Sequence, residues 1–509
     1  MLEIIRNNSP SKDFIKYFGS SISYGDFDGY TNGVSIQLSM YSGPGDRIAI
    51  ISENIPQFII VQYAAWKNAC IFVPLSPLDS ATEIQEKISL VQPAAIIISS
   101  EFMEKFQDIK TAGKILITDP QTFGTMPGSL SQKFGLKPGK EELNLRKKKD
   151  FIYTCPDPED VAMLVFTSGT SGRQKAAEIR HKNIYAASFI YKEWFHVTGH
   201  DVNLGIAPFF HITGLTFGIS LSVISASSIV LNYRFDNLST LDLIKKYRTT
   251  ITMFVATAYR SMINSWSVIP HIKSELSSMR LWSAGGMPMP VKTENEWREL
   301  TGQWIYMAYG LTESTSPVTL WEYPYNGALK VYNNTLSCGL PVYYTILHRR
   351  RNGELAVKGA QIISGYYKNR QDTEKTFRNG EMKTGDICHI GSDSWVYIID
   401  RKKDLIDISG YKVWPAEIEN VVRKSPYVED VVVASRPDEY KGEVPVAYVK
   451  ARNNTVPASE IKENIMEICR KELSRYKIPS EIVFIEQMPV SASGKIKRSD
   501  INKILEAKK

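Results

Sequence analysis

Apolar and polar positions along the chain follow two periods, and their alternation sets out the fold. Residues 46–78 show the unit: an apolar run at 47–51, a turn at 54–56, a stretch of helical period at 57–67 and a second apolar run at 70–74. Short apolar runs bounded by turn residues predict buried strands, and the 3.6-residue spacing between them predicts a helix packed on those strands. Two strands joined through a helix pair in parallel, because a parallel pair needs a long crossover. The same alternation recurs at 81–99, 249–264 and 279–300. The fold class expected is therefore α/β, with a large, multi-sheet amino-terminal domain built from parallel βαβ units.

From about residue 353 the pattern changes. Short alternating strands at 354–357, 395–399 and 430–434, with helical stretches at 415–424 and 459–473, predict a small α+β carboxy-terminal domain. The domain boundary is placed at 401, giving 1–401 and 402–509. Between 119 and 149 the chain is rich in Gly, Pro, Ser, Gln and Lys, and reads as a solvated connection. Residues 212–233 carry no charge and are long enough to span a bilayer. Their many Ser, Thr and Gly residues favour a buried helix running into a buried strand.

At 509 residues the chain exceeds the size of one hydrophobic core, which supports two domains. Its 43% hydrophobic and 23% charged residues are ordinary globular usage. The net charge of +7 suits an anionic substrate such as a nucleotide. Basic runs at 146–149 and 348–351 read as solvated faces, and no basic-aromatic stripe points to nucleic acid. The five cysteines are far apart and form no C-x-x-C pair, and of the seven histidines only His196 and His200 stand at an i, i+4 spacing. Neither a disulfide framework nor a protein-held transition metal is expected. The amino terminus carries an early acidic residue and no signal-like apolar run, so a cytoplasmic location is expected.

The chemistry is concentrated at 163–175, M-L-V-F-T-S-G-T-S-G-R-Q-K. An apolar strand runs into a loop of small hydroxyl residues and glycines, Thr167, Ser168, Gly169, Thr170, Ser171 and Gly172, that ends in Lys175. Glycines let successive N–H groups turn inward, hydroxyls add donors, and the lysine adds a mobile charge, so the loop suits phosphate. The spacing is not that of a Walker A loop, since Arg173 and Gln174 separate Gly172 from Lys175.

This loop resembles the T-S-G-T-T-G-x-P-K-G core of the adenylate-forming superfamily, with Gln174 and Ala176 where the pattern has proline and glycine. Further blocks follow in the family's order over nearly the whole chain: C-I-F-V-P-L-S-P at 70–77, P-F-F-H-I-T-G at 208–214, S-A-G-G-M-P at 283–288, Y-G-L-T-E at 309–313, T-G-D at 384–386, D-R-K-K-D at 400–404, S-G-Y-K at 409–412 and P-V-S-A-S-G-K at 489–495. The resemblance implies ATP-dependent activation of a carboxylic acid as an acyl-adenylate, followed by transfer to coenzyme A, with a fatty acid as the leading substrate. A free-standing enzyme that loads a carrier protein, or a non-catalytic nucleotide-binding relative, is the alternative.

By the same resemblance, Thr312 touches the α-phosphate and Glu313 holds Mg²⁺, a hard cation that prefers oxygen ligands. Gly285, Gly286 and Met287 line the adenine site with Tyr309 and Gly310. Asp386 holds the ribose with Arg401 beside it, and His211 lies at the mouth of the acid and thiol pocket. Lys495 bridges the attacking carboxylate and the α-phosphate. Lys403 is the pivot of a mobile tail domain, and Ser409, Gly410 and Lys412 form the face that admits the pantetheine arm. Pocket residues implied include Phe254, Val255, Ala256, Tyr309 and residues 314–317. The partners expected are the small-molecule acid, ATP and coenzyme A, with no transmembrane segment and with a homodimer as a further expectation.

Overall fold

A computed structural model describes the chain except for residues 137–138, 154, 168–173, 409–410, 439–440, 453–455, 489–497, 499–500 and 502–509. Two compact units result. The first comprises Met1–Gly327, Gly339–Ile346 and Val357–Met382, and the second Ala328–Cys338, Leu347–Ala356 and Lys383–Lys509.

The first unit holds two sheets. One has six strands in the order Lys114–Thr118, Ala95–Ser99, Arg47–Ile51, Ile71–Leu75, Val161–Thr167, Lys175–Arg180. All neighbours are parallel except the last pair. Along Arg47–Ile51, Ile48 and Ile50 enter one apolar cluster while Ala49 and Ile51 enter another. Both faces are thus covered, which is why these strands read as unbroken apolar runs. The strand-helix-strand unit read from the pattern is present as Arg47–Ile51, Pro56–Lys67 and Ile71–Leu75.

The second sheet has nine strands, and its centre runs in parallel through Ile305–Tyr309, Leu281–Gly285, Ile251–Phe254, Val202–Gly205, Ser228–Leu231 and Asp13–Tyr17. The uncharged stretch folds as a π-helix at Gly214–Ser220, a short α-helix at Leu221–Ile224 and the strand Ser228–Leu231, and nearly all of it is buried. No helix among the described residues is long and apolar enough to cross a membrane.

The connection expected to be solvated does keep most of its described residues at least partly exposed, but it is also seated on the unit. It contains a helix at Gly128–Phe134, and Met126, Leu136 and Leu143 are buried. Gln37 donates to Glu142 O and accepts from Asn144 N, both at 2.7 Å. Glu141 Oε2 accepts from Thr118, Asp119 and Thr122. A few apolar side chains and satisfied backbone groups suffice to seat a segment whose other side chains face water.

The second unit carries a sheet in the order Tyr411–Val413, Ile406–Ile408, Gly442–Ala451, Val428–Asp438, with Glu481–Phe484 parallel to Gly442–Ala451. Helices Pro415–Val422 and Ala458–Glu472 bury Ile418, Val422, Ile461, Ile465 and Cys469 in one cluster with it.

One buried acid gives the first unit a pH dependence. Glu294, in helix Val291–Thr301, accepts from Ile305 N at 3.2 Å through Oε1, while Oε2 is buried with no partner among the described residues. Burial pushes its pKa up to about 8, against the lowering effects of the Ile305 amide and Arg298. The folded state therefore holds the proton where the unfolded chain has lost it, so stability is complete below the unfolded value and declines as pH rises towards 8. Glu294→Gln keeps the Oε1 acceptor and stays neutral. Denaturant unfolding at pH 5.5 and 7.5 should show the variant gaining on the parent by about 1–3 kcal/mol over that interval, and parallel pH curves would refute the buried neutral acid.

Candidate functional site

Lys175 opens the strand Lys175–Arg180, which pairs antiparallel with Val161–Thr167 so that Thr167 and Lys175 stand opposite each other. The phosphate loop is therefore a hairpin connection. The strand that follows it is Lys175–Arg180 and not a helix, so the helix amino-terminal field that Walker-type loops use is absent at Lys175. Ser168, Gly169, Thr170, Ser171 and Gly172 lie outside the described residues.

The Lys175 side chain is 8% exposed, 3.2 Å from Asp372 Oδ2, with Nζ 5.1 Å from the centre of the Tyr366 ring. Burial without those partners would penalise the ammonium heavily. The Lys175 ion pair holds the Asp372 carboxyl below its usual range, against a desolvation effect that is the largest single influence and acts upward. A cavity of about 440 Å³ adjoins Lys175, lined also by Lys87, Phe166, Gln174, Lys368 and Asn369.

Tyr366 connects Lys175 to Glu313. Its hydroxyl donates to Glu313 Oε1 at 2.8 Å, and burial together with that carboxylate raises its pKa above the ordinary value. The backbone around it is fixed on both sides, with Ala177 and Tyr366 bridged, Tyr367 N donating to Ala176 O at 2.8 Å, and Ile363 N donating to Glu313 O at 3.0 Å. Residues 363–373 thus lace the phosphate hairpin to the Y-G-L-T-E block.

Within that block, strand Ile305–Tyr309 ends at Tyr309 and the chain makes a 3-10 turn at Thr312–Ser314. A Cβ on Gly310 would lie 1.3 Å from Ser316 O, so no other residue fits there without moving the backbone. Ser314 Oγ accepts from Leu311 N at 2.8 Å and donates to Ser316 O at 3.0 Å, and Thr315 Oγ1 donates to Gln361 O at 2.8 Å. Thr312 and Glu313, both half-buried, are presented on a rigid turn.

The neighbouring strand Leu281–Gly285 ends at the same edge, with Gly285 opposite Ala308. Gly286 follows with φ +81°, a left-handed turn that favours glycine, and carries the chain to Met287. Phe254 stands opposite Ala284 on the next strand. Phe254, Gly285–Met287 and Tyr309–Glu313 therefore line the carboxyl ends of three adjacent parallel strands, the usual ligand-binding edge of an α/β sheet. His211 is half-buried, its amide donating to Pro208 O at 3.0 Å and its carbonyl accepting from Leu215 N at 3.0 Å, just before the π-helix. Buried Asn54 braces this segment: Nδ2 donates to Gly205 O and Ala207 O, and Oδ1 accepts from Phe209 N at 2.8 Å.

In the second unit Asp386 and Arg401 face each other across paired strands, Arg401 Nε lying 3.4 Å from Asp386 Oδ1. Asp386 is buried and Arg401 half-exposed, which suits a fixed carboxylate with a mobile cation beside it. Lys403 sits in the 3-10 turn Lys402–Asp404, and Lys412 stands opposite Asp407 in a short hairpin. Ser409, Gly410 and Lys495 lie outside the described residues, as do the side chains of Lys403 and Lys412.

No cluster of three or more potential metal-ligating side chains occurs among the described residues. A single carboxylate such as Glu313 fits Mg²⁺ that arrives on a polyphosphate, because that ion keeps waters and phosphate oxygens and takes only one or two carboxylates. Sequence reading missed Tyr366, Asp372 and Asn54. All three act by buttressing another residue across a long stretch of chain, and no local spacing signals such a role.

Solved structures share this architecture: ATP-bound MatB from Rhodopseudomonas palustris superposes with a TM-score of 0.85 at 22% identity over 99% of each chain. o-Succinylbenzoate CoA synthetase from Bacillus subtilis, in complex with an acyl-adenylate intermediate, does so with a TM-score of 0.81 at 23% identity, over 98% of this chain and 97% of that one. These likenesses show a shared fold over nearly the whole chain. The AMP-binding enzyme family matches residues 3–367 and its C-terminal domain matches residues 417–495, and the chain belongs to that family. Relatives include a long-chain-fatty-acid–CoA ligase from Bacillus subtilis, 29% identical over 96% of this chain and 91% of its own length. A peroxisomal OPC-8:0-CoA ligase from Arabidopsis thaliana is 29% identical over 90% and 84%.

Proposed function

We propose that this protein is an AMP-forming acid–CoA ligase whose acid is a fatty acid. The observation that carries the reading is the joining of Lys175, Tyr366 and Glu313 at the edge of the parallel sheet, in a chain of the AMP-binding family. The fatty-acid assignment is supported by long-chain-fatty-acid–CoA ligases that match over at least 90% of this chain.

In the first step a carboxylate oxygen attacks the α-phosphorus of ATP and pyrophosphate leaves. Lys175 and the hairpin loop neutralise the outgoing phosphates, Thr312 donates to the α-phosphate, and Lys495 bridges the attacking and phosphoryl oxygens. Glu313, oriented by Tyr366, would hold Mg²⁺, which would supply charge neutralisation. Gly285, Gly286 and Met287 seat the adenine beside Tyr309 and Gly310, and Asp386 accepts from the ribose hydroxyls beside Arg401. In the second step the coenzyme A thiolate attacks the acyl carbonyl and AMP departs, with His211 at the pocket mouth and Ser409, Gly410 and Lys412 on the entry face. Rotation at Lys403 exchanges the two poses, Lys495 serving only the first. The pivot at Lys403 falls within the compact grouping of 383–509, in which strand Val396–Arg401 pairs with Glu381–Ile390.

The test is ATP–pyrophosphate exchange across acids from acetate to palmitate plus benzoate, followed by addition of coenzyme A. Exchange with long-chain acids and a thioester on adding coenzyme A support the reading. Exchange without thioester assigns a carrier-protein acceptor, and exchange confined to short or aromatic acids overturns the fatty-acid assignment.

A further inference from the structure

We infer that Arg498 latches the pivot, by bonding carboxylates on both sides of Lys403. The inference rests on the two-pose reading above. Arg498 Nη1 donates to Asp400 Oδ1 and to Asp404 Oδ2, both at 3.1 Å, and Nη2 donates to Glu419 Oε1 at 2.7 Å. Asp400 precedes Lys403 and Asp404 follows it, so one guanidinium spans the turn Lys402–Asp404.

The groups beyond the pivot form one body. Glu419 lies in helix Pro415–Val422 and also accepts from Val433 N at 2.9 Å. Ile501, three residues past Arg498, is buried with Val432, Ala434, Val446 and Tyr448. Asp400 belongs to the other side, at the end of strand Val396–Arg401, where Oδ1 accepts from Arg401 N at 2.7 Å. Two bonds reach it from beyond the pivot: Arg498 Nη1 to Oδ1, and Ala416 N to Oδ2 at 3.0 Å.

A backbone rotation at Lys403 carries Arg498 and Ala416 away from Asp400 together, so these bonds belong to one hinge conformation and open in the other. Charge-assisted bonds from a planar fork are strong and directional, which makes the contact a catch with two discrete states. On opening, Arg498 keeps Glu419 and Asp404, so its charge is never stranded. Arg498 stands three residues after Lys495 in the sequence. Arg498 is thus a positioning residue for the two-step reaction.

The experiment measures the two half-reactions separately on the full chain: acid-dependent ATP–pyrophosphate exchange, and thioester formation from supplied acyl-adenylate and coenzyme A. Asp400→Asn weakens the catch from the near side and leaves Arg498 bonded to Glu419 and Asp404. Arg498→Lys keeps the charge but cannot span three carboxylates. Both variants should change the ratio of the two rates by about threefold or more in the same direction, one half-reaction becoming faster than in the parent. A fall of both rates by a common factor, or an unchanged ratio, overturns the latch. Lys403→Pro separates the two ideas. If it arrests one half-reaction and spares the other while the latch variants leave the ratio unchanged, the latch alone fails; if it leaves the ratio unchanged, the pivot and the latch fail together.

Discussion

Glu313→Gln should lower acid-dependent ATP–pyrophosphate exchange by about 10²–10³-fold and move the remaining activity to higher Mg²⁺ concentration, with little change in thermal midpoint. The separation of activity from stability follows from how Glu313 is held. Its Oε1 takes the Tyr366 hydroxyl at 2.8 Å and its main-chain carbonyl takes the Ile363 amide at 3.0 Å. Glutamine offers an oxygen of the same shape to Tyr366 and the same main chain to Ile363, so the turn survives. What it lacks is a negative oxygen for a divalent ion that prefers carboxylate and phosphate. Exchange within threefold of the parent across a Mg²⁺ titration would remove Glu313 from the metal role.

Lys495→Ala should reduce adenylation by about 10²-fold or more while thioester formation from supplied acyl-adenylate persists. A charge that bridges the attacking carboxylate and the α-phosphate acts on the transition state of the first step alone. The variant should remain folded, because the chain just beyond is anchored by Arg498 on Glu419 and by buried Ile501. Equal loss of both half-reactions would show that the lysine serves the fold or both steps, and equal survival would show that it serves neither.

The elements that pattern made legible are those whose environment is uniform along their length. Arg47–Ile51 is apolar throughout because both faces of its sheet are covered, and helix Ala458–Glu472 keeps a regular stripe because one face meets one sheet. The composition of 119–149 showed its exposure but not its seating, which depends on satisfied backbone groups and on partners such as Gln37, more than a hundred residues away. The same limit governed the candidate site. Glu313 and Lys175 stand in recognisable blocks, whereas Tyr366 and Asp372, which orient and neutralise them, occupy a stretch with no spacing signal of its own.

By itself the sequence determined the α/β class, the recurring strand-helix units, the change to an α+β tail and the blocks that place the chain in an adenylate-forming family, since each is a local pattern of polarity or residue type. Tertiary structure alone decided that the strands flanking the Ser/Thr/Gly loop pair with each other, with no helix following, that a tyrosine joins the lysine to the glutamate, and that an arginine spans the turn around Lys403. Each of those depends on which distant segments meet, and a hydrogen bond or ion pair is set by a distance of about 3 Å in space, which separation along the chain does not encode.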